Sequence, residues 1–175
     1  PTSVTLDGKS VACEDSGKDI LTHIYKQTIG DYPKFYKMDM LSRLGFIASE
    51  LLITAEGKER FAENEQRAVI LFNHSSSIHA DTNYLESIKD PENYFPSPSL
   101  FVYTLPNIVT GEIAIRNHYY GETSFYILPQ KDETIISQVQ RAAFSDPMTN
   151  SMMTGWLDYE DDDNFLADMY IMDYE

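Results

Sequence analysis

The sequence predicts an α/β layered fold, a mixed sheet of about five strands flanked by helices, and three observations carry that prediction. Short apolar runs of strand type, as in "RAVILFNHS" and "SFYIL", alternate with stretches of helical spacing, the pattern of a sheet covered by helices. Met40, Leu41, Leu44, Ile47, Ala48, Leu51 and Leu52 recur three and four apart, which marks one long amphipathic helix. Near the end, "SMMTGWLDY" and "FLADMYIMDY" are aromatic-rich strand segments separated by a short acidic turn, so they form a hairpin and make the sheet mixed. With 175 residues the chain suits one domain, 1–175, large enough for a real core.

In chain order, residues 1–18 are polar and irregular, apart from a strand stub at Ser3-Val4-Thr5-Leu6. A short helix is predicted over 19–28, ended by Gly30 and Pro33. The long helix follows with Asp39 as its N-cap, because an aspartate side chain accepts the unpaired N–H groups of a first turn. Residues 55–67 are charged and expected at the surface. After the strand in "RAVILFNHS", a helix over 80–89 leads into the Pro-rich loop "DPENYFPSPS". "FVYTLPNIVTGEIAIRN" reads as an extended segment and then a helix opening near Pro106, whose Thr110, Gly111 and Ala114 offer a face for close backbone approach. "GETSFYILPQ" reads as a buried strand that runs into a sharp turn at Gln130. Asp132 caps the next helix, where Ile135, Ile136, Val139, Ala142 and Ala143 keep helical spacing.

The formal charge of −15, from 28 acidic and 13 basic residues, repels nucleic-acid phosphates and anionic lipid alike, so neither is expected as a partner. No apolar run approaches the roughly 20 residues of a membrane span. From 154 to 175 there are eight carboxylates and no Lys or Arg, which reads as a solvated acidic hairpin or tail over 158–175. That run lacks the Gly and the spaced terminal Glu of an EF-hand loop, so no calcium is expected. Cys13 is the only cysteine, which excludes an internal disulfide and favours a cytoplasmic setting. The chain opens on Pro1, a trimmed start compatible with removal of a signal peptide.

The segment "NHSSSIHAD" concentrates groups that could do chemistry. Ser76, His79 and Asp81 supply the hydroxyl, the base and the orienting carboxylate that a serine hydrolase or acyltransferase needs. The competing reading is helix capping by Ser or Asp. A metal site on His74, His79 and Asp81 has no recognised spacing, and neither a metal nor another cofactor is expected. Cys13 stands beside Glu14 and Asp15, whose charge disfavours a thiolate and makes it a poor nucleophile. His23 and His118 lie near aromatic residues and read as packing or surface histidines. The 12 Tyr and 9 Phe could line a pocket or fill a core.

"LPNIVTGEIAIRNHYYGETSFYIL", with Pro106, Asn107, Gly111, Ala114, Ile115, Arg116 and Gly121 in order, resembles the segment that leads to the active-site cysteine of the β-ketoacyl synthases. "KMDMLSRLGFIASELLI" is similar to the family's early helix, "RAVILFNHSSS" to the strand after it, and "NSMMTGWLDY" to a strand that in the family ends in a Gly-rich turn. The likeness covers about residues 35–160. The chain departs from the family in lacking a Gly-rich loop after "VILFN" and the family's residues after the nucleophile strand.

The resemblance implies a thiolase-like half in which Gln130, nine residues after Gly121, takes the nucleophile's position. An amide forms no thioester, so no catalytic residue is expected there, and Asn107, Gly111, Arg116 and Gly121 would support the strand or a pocket. The family's two catalytic histidines lie in its second half. Glutamine at this position is also what chain-length-factor subunits and some decarboxylating loading ketosynthases carry; the plainer alternative is a polar turn residue in a diverged domain. A lone half would expose an apolar face, so the resemblance implies a homodimer or a heterodimer with a full-length ketosynthase. An acidic acyl carrier protein would dock only through Lys26, Lys34, Lys37 and Arg43. The implied function is a non-condensing partner in type II fatty acid, polyketide or aryl-polyene synthesis. The alternatives are an independent serine hydrolase or acyltransferase using segment 75–81, and a plain interaction domain.

Overall fold

The computed structural model describes residues 3–174, apart from the side chain of Asn93; Pro1 and the last predicted carboxylate, Glu175, lie outside the described residues. The expected strand stub is one arm of a small hairpin, β1 (Val4–Leu6) and β2 (Lys9–Val11). Asp7 and Gly8 form its turn with φ of 49° and 74°, the left-handed pair that matches the twist of a two-residue hairpin loop. The first helix, α1 (Asp19–Ile24), continues as a π-type turn over Tyr25–Ile29 and stops at the left-handed Gly30. The long helix α2 (Met40–Glu56) is capped by Asp39, whose carboxylate accepts from the N–H groups of Leu41 and Ser42 at 3.2 and 3.1 Å.

The main sheet has four strands in the order β4-β3-β5-β6, so the mixed sheet is one strand smaller than expected and the hairpin β1–β2 stands apart from it. The central strand β3 (Arg67–Asn73) is buried along its whole length and runs parallel to both β4 (Thr123–Ile127) and β5 (Ser151–Tyr159). The hairpin of β5 with β6 (Phe165–Asp173) closes the far side. Between β3 and β4 the chain passes through α3 (Ile78–Ser87), α4 (Pro98–Val102) and α5 (Ile108–Asn117). Between β4 and β5 it passes through α6 (Glu133–Ala143).

Strand alternation sorts the core into two layers. Val69, Leu71, Met153, Leu157 and Tyr159 pack against α1, α2 and α5. Ala68, Ile70, Phe72, Met152 and Trp156 pack against Ile136 and Ala143 of α6. The result is a helix–sheet–helix sandwich with α6 alone on its second face.

Several expectations are corrected. The "FVYTL" segment ends a short helix and continues through turns instead of being extended, because Ser97 and Pro98 make a helix start; the Ser97 hydroxyl accepts from the N–H of Leu100 at 3.4 Å. β4 is an edge strand instead of a buried one, leaving Tyr126 37% and Ile127 51% exposed. Arg67 is buried because it answers a carboxylate at the end of α2. Close helix approach is made by Gly45: a carbon added there would stand 2.4 Å from Val109 Cγ2, whereas one added to Gly111 meets nothing within 4 Å. The outward side of α6 is mostly polar, with Glu133, Thr134, Gln138 and Arg141 exposed beside Ile135 and Ala142, so it offers little of the expected apolar face. Exposed apolar side chains gather instead on α3, α4 and the loops beside them, among them Leu85, Phe95, Phe101, Val102 and Leu105. Among the described residues no helix is long and apolar enough to cross a membrane.

Candidate functional site

The C-terminal ends of parallel strands form the crevice where open α/β sheets bind ligands. Here those strand ends lead, after β4, into α6, which covers one face of the sheet. The ladder between β3 and β4 runs one residue past β4, with the N–H of Leu128 donating to the carbonyl of Asn73 at 2.8 Å. Pro129 has no N–H to continue it. Gln130 follows, exposed in a bend, and Asp132 then starts α6 by accepting from the N–H groups of Thr134 and Ile135 at 2.9 and 3.1 Å. Lys131 reaches Asp168 of β6 at 2.8 Å. β4 and β6 are three strand spacings apart, about 14 Å, which is beyond a lysine side chain. The connection itself therefore leans over the sheet, and Gln130 sits in that crossing.

At the end of β3, Asn73 is fully buried and clamps its turn, its side chain donating to the carbonyl of Ser76 at 2.8 Å and accepting from the N–H of Ser76 at 3.1 Å. Ser76 is thereby held at a φ of 54°. The N–H and hydroxyl of Ser75 both donate to Asp158 of β5. Ser77 donates to the carbonyl of Thr104 at 2.6 Å and lies 3.5 Å from Asp81. His79 turns elsewhere: its ring packs edge-on to Tyr159 and its Nε2 is 3.8 Å from Asp162. Burial pushes the Tyr159 phenol up, while the hydrogen bond from Lys18 at 2.5 Å holds the Asp162 carboxyl below its ordinary value.

Among the described residues, then, no hydrogen-bonded chain links Ser76, His79 and Asp81, and a serine relay is not assembled. His74 does not meet His79 and Asp81 in a cluster. It meets Asp158 and Glu160, their ligand atoms all within 4.8 Å, from a strand end that no local spacing could have pointed to. Nor is the acidic segment merely solvated. Asp158 serves Ser75, while Asp162, Asp168 and Asp173 pair with Lys18, Lys131 and Lys58 from earlier in the chain.

The residues read as supports are dispersed. Asn107 stands at the N-cap of α5, its carbonyl accepting from the Thr110 hydroxyl at 2.8 Å, and Gly111 faces open space. Arg116 is 2.6 Å from Asp31 and 3.6 Å from Glu50, with Tyr32 and Phe61 under its guanidinium, so it fastens α5 to α2. Gly121 lies just before β4, where an added carbon would stand 2.4 Å from the carbonyl oxygen of Arg67. Of the four basic residues read as a patch, Lys34 pairs with Glu112 at 2.7 Å, and Arg43 donates to the carbonyls of Met38 and Tyr36. Lys26 and Lys37 are too few to make one.

No family model matches the chain, and no curated protein does. Solved structures do. The ishigamide ketosynthase/chain length factor matches with a TM-score of 0.63 and 20% identity, over 77% of this chain and 38% of that one. The ketosynthase (ApeO) in complex with its chain length factor (ApeC) from Xenorhabdus doucetiae matches with a TM-score of 0.54 and 10% identity, over 88% of this chain and 63% of that one. The chain spans less than two thirds of the length of either. These likenesses show the fold: the sandwich described above follows the thiolase-like plan of ketosynthases and chain length factors.

Proposed function

We propose that this chain is a ketosynthase-like subunit that does not itself condense acyl units and that works beside a ketosynthase, as a chain length factor does, in polyketide or aryl-polyene synthesis. The observation that carries the reading is the β4–α6 connection, Leu128-Pro129-Gln130-Lys131-Asp132, which offers an amide and no thiol at a strand-to-helix corner over the sheet. The amide nitrogen of Gln130 is too weak a nucleophile to form an acyl intermediate. The sole cysteine, Cys13, packs against the core layer on the other face.

Two surfaces suit the partner. The outer edge of β4 is unpaired within the sheet among the described residues, and an edge strand presents unsatisfied N–H and C=O groups to a second chain. On that edge Tyr126 and Ile127 add apolar area, and the exposed apolar side chains of α4, Phe101 and Val102, are the second surface. We assign the heterodimer with a ketosynthase to the β4 edge, a homodimer being the other outcome. An acidic carrier protein would dock on the ketosynthase instead of this chain, and the pair would work in the cytoplasm.

The test is co-expression with a ketosynthase encoded beside this chain, followed by size-exclusion chromatography and a carrier-protein elongation assay. The pair is expected to co-elute and elongate, this chain alone to do neither elongation nor decarboxylation, and Ile127→Asp to separate the pair. Labelling of the chain by a fluorophosphonate, or a ketosynthase product unchanged by its presence, contradicts the reading.

A further inference from the structure

Residues 12–18 form a strap that leaves β2 and enters α1. Cys13 and Asp15 lie on it, and His23 lies on α1. A thiol sulfur, a carboxylate oxygen and an imidazole nitrogen from these three residues all lie within 4.8 Å of one another. Asp15 Oδ2 and His23 Nδ1 are 2.6 Å apart, so His23 is no mere packing residue. Cys13 and His23 are half-buried against the α1–α2 layer while Asp15 opens to water, which gives the cluster a protected floor and an entrance.

We propose that Cys13, Asp15 and His23 bind one zinc ion, with water as the fourth ligand. The donor set decides the metal: sulfur, imidazole and carboxylate together suit zinc, whereas magnesium and calcium take oxygen. Thiolate and carboxylate carry two negative charges and neutral imidazole none, so the dication is balanced. The surrounding charge favours a cation: Glu14, Asp15 and Asp19 attract one, and a bound dication removes the proton of the thiol that coordinates it. Lys18, on the same strap, is committed to Asp162. Because the three ligands fall within a short stretch, closing the site orders little chain. Zinc would tie the strap to α1, whose Ile20, Leu21 and Ile24 line an apolar cavity of about 310 Å³.

The experiment titrates the chain with cobalt and then zinc. Expected are a thiolate-to-cobalt charge-transfer band in the near ultraviolet, its loss as zinc replaces cobalt, and one zinc per chain by calorimetry. Zinc should also slow iodoacetamide alkylation of Cys13 by more than about tenfold, since a bound thiolate is shielded from attack. Cys13→Ser should abolish the band, and His23→Asn should weaken zinc by more than about tenfold, at least the loss seen when a metal's outer shell is removed. A missing band, an alkylation rate indifferent to zinc, or full affinity in Cys13→Ser would overturn the proposal. Alkylation is read on the unaltered chain, so the test stands even if a variant misfolds.

Discussion

Arg67, the first residue of β3, grips the carboxylate of Glu56, the last residue of α2, with both terminal nitrogens of its guanidinium, at 2.7 and 2.6 Å. Its Nε donates to the hydroxyl of Ser151 at the start of β5, and Nη1 to the Tyr119 hydroxyl ahead of β4. One side chain thus ties the long helix to β3, to β5 and to the segment ahead of β4, at the end of the sheet opposite Gln130. Arg67→Met should destabilise the fold by about 3 kcal/mol, because Glu56 is left partly buried without its counter-ion. Urea denaturation of the two proteins measures this, and an unchanged midpoint would show that the pair is dispensable.

The same pair predicts a pH dependence. The hydrogen bonds from Arg67 hold the Glu56 carboxyl at about 2, below its ordinary 4.5. The folded-state value is the lower one, so the stabilisation is complete above pH 4.5 and is lost as the pH falls toward 2. Discounted for partial exposure, the loss is on the order of 2 kcal/mol. Glu56→Gln should flatten stability against pH over that window, leaving the titration of the other carboxylates.

Glycine substitutions should separate packing from helix propensity. Gly45→Ala forces a carbon to within 2.4 Å of Val109 and 2.9 Å of Leu157 and should cost about 2 kcal/mol as α2 and α5 are pushed apart. Gly111→Ala meets open space inside α5 and should stabilise by up to about 1 kcal/mol. Thermal melts of both variants give the comparison, and equal shifts would contradict the assigned helix contact.

Releasing Lys131 from Asp168 should alter motion more than stability. The pair is partly exposed, so Lys131→Met is expected to cost less than about 1 kcal/mol. Amide exchange over residues 128–132 should nonetheless quicken, because that ion pair holds the Gln130 connection over the sheet. Unchanged exchange would mean that Pro129 and the Asp132 cap suffice to hold it.

Much of the fold was legible because it is written locally. The α2 helix announced itself through its spacing and Asp39, α6 through Asp132 and its apolar stripe, and the β5–β6 hairpin through two strand segments around one short turn. Each of those signals is read and satisfied within a few residues. The α4 segment was misread because an apolar run has the same look in a strand and a short helix, and the Ser-Pro start ahead of it was the discriminating feature.

By itself the sequence determined most of the elements, the mixed sheet and the absence of sulfur from the turn after β4, since periodicity, caps and residue chemistry are properties of neighbours along the chain. Only the tertiary structure decided that β4 is an edge, that Gly45 and not Gly111 admits a neighbouring helix, and that Asp158 answers Ser75 while His79 answers Asp162. Strand alternation is identical in central and edge strands, and hydrogen bonding is equally satisfiable by many partners. The choice among them is made by how the layers pack, which brings residues far apart in the chain within hydrogen-bonding distance.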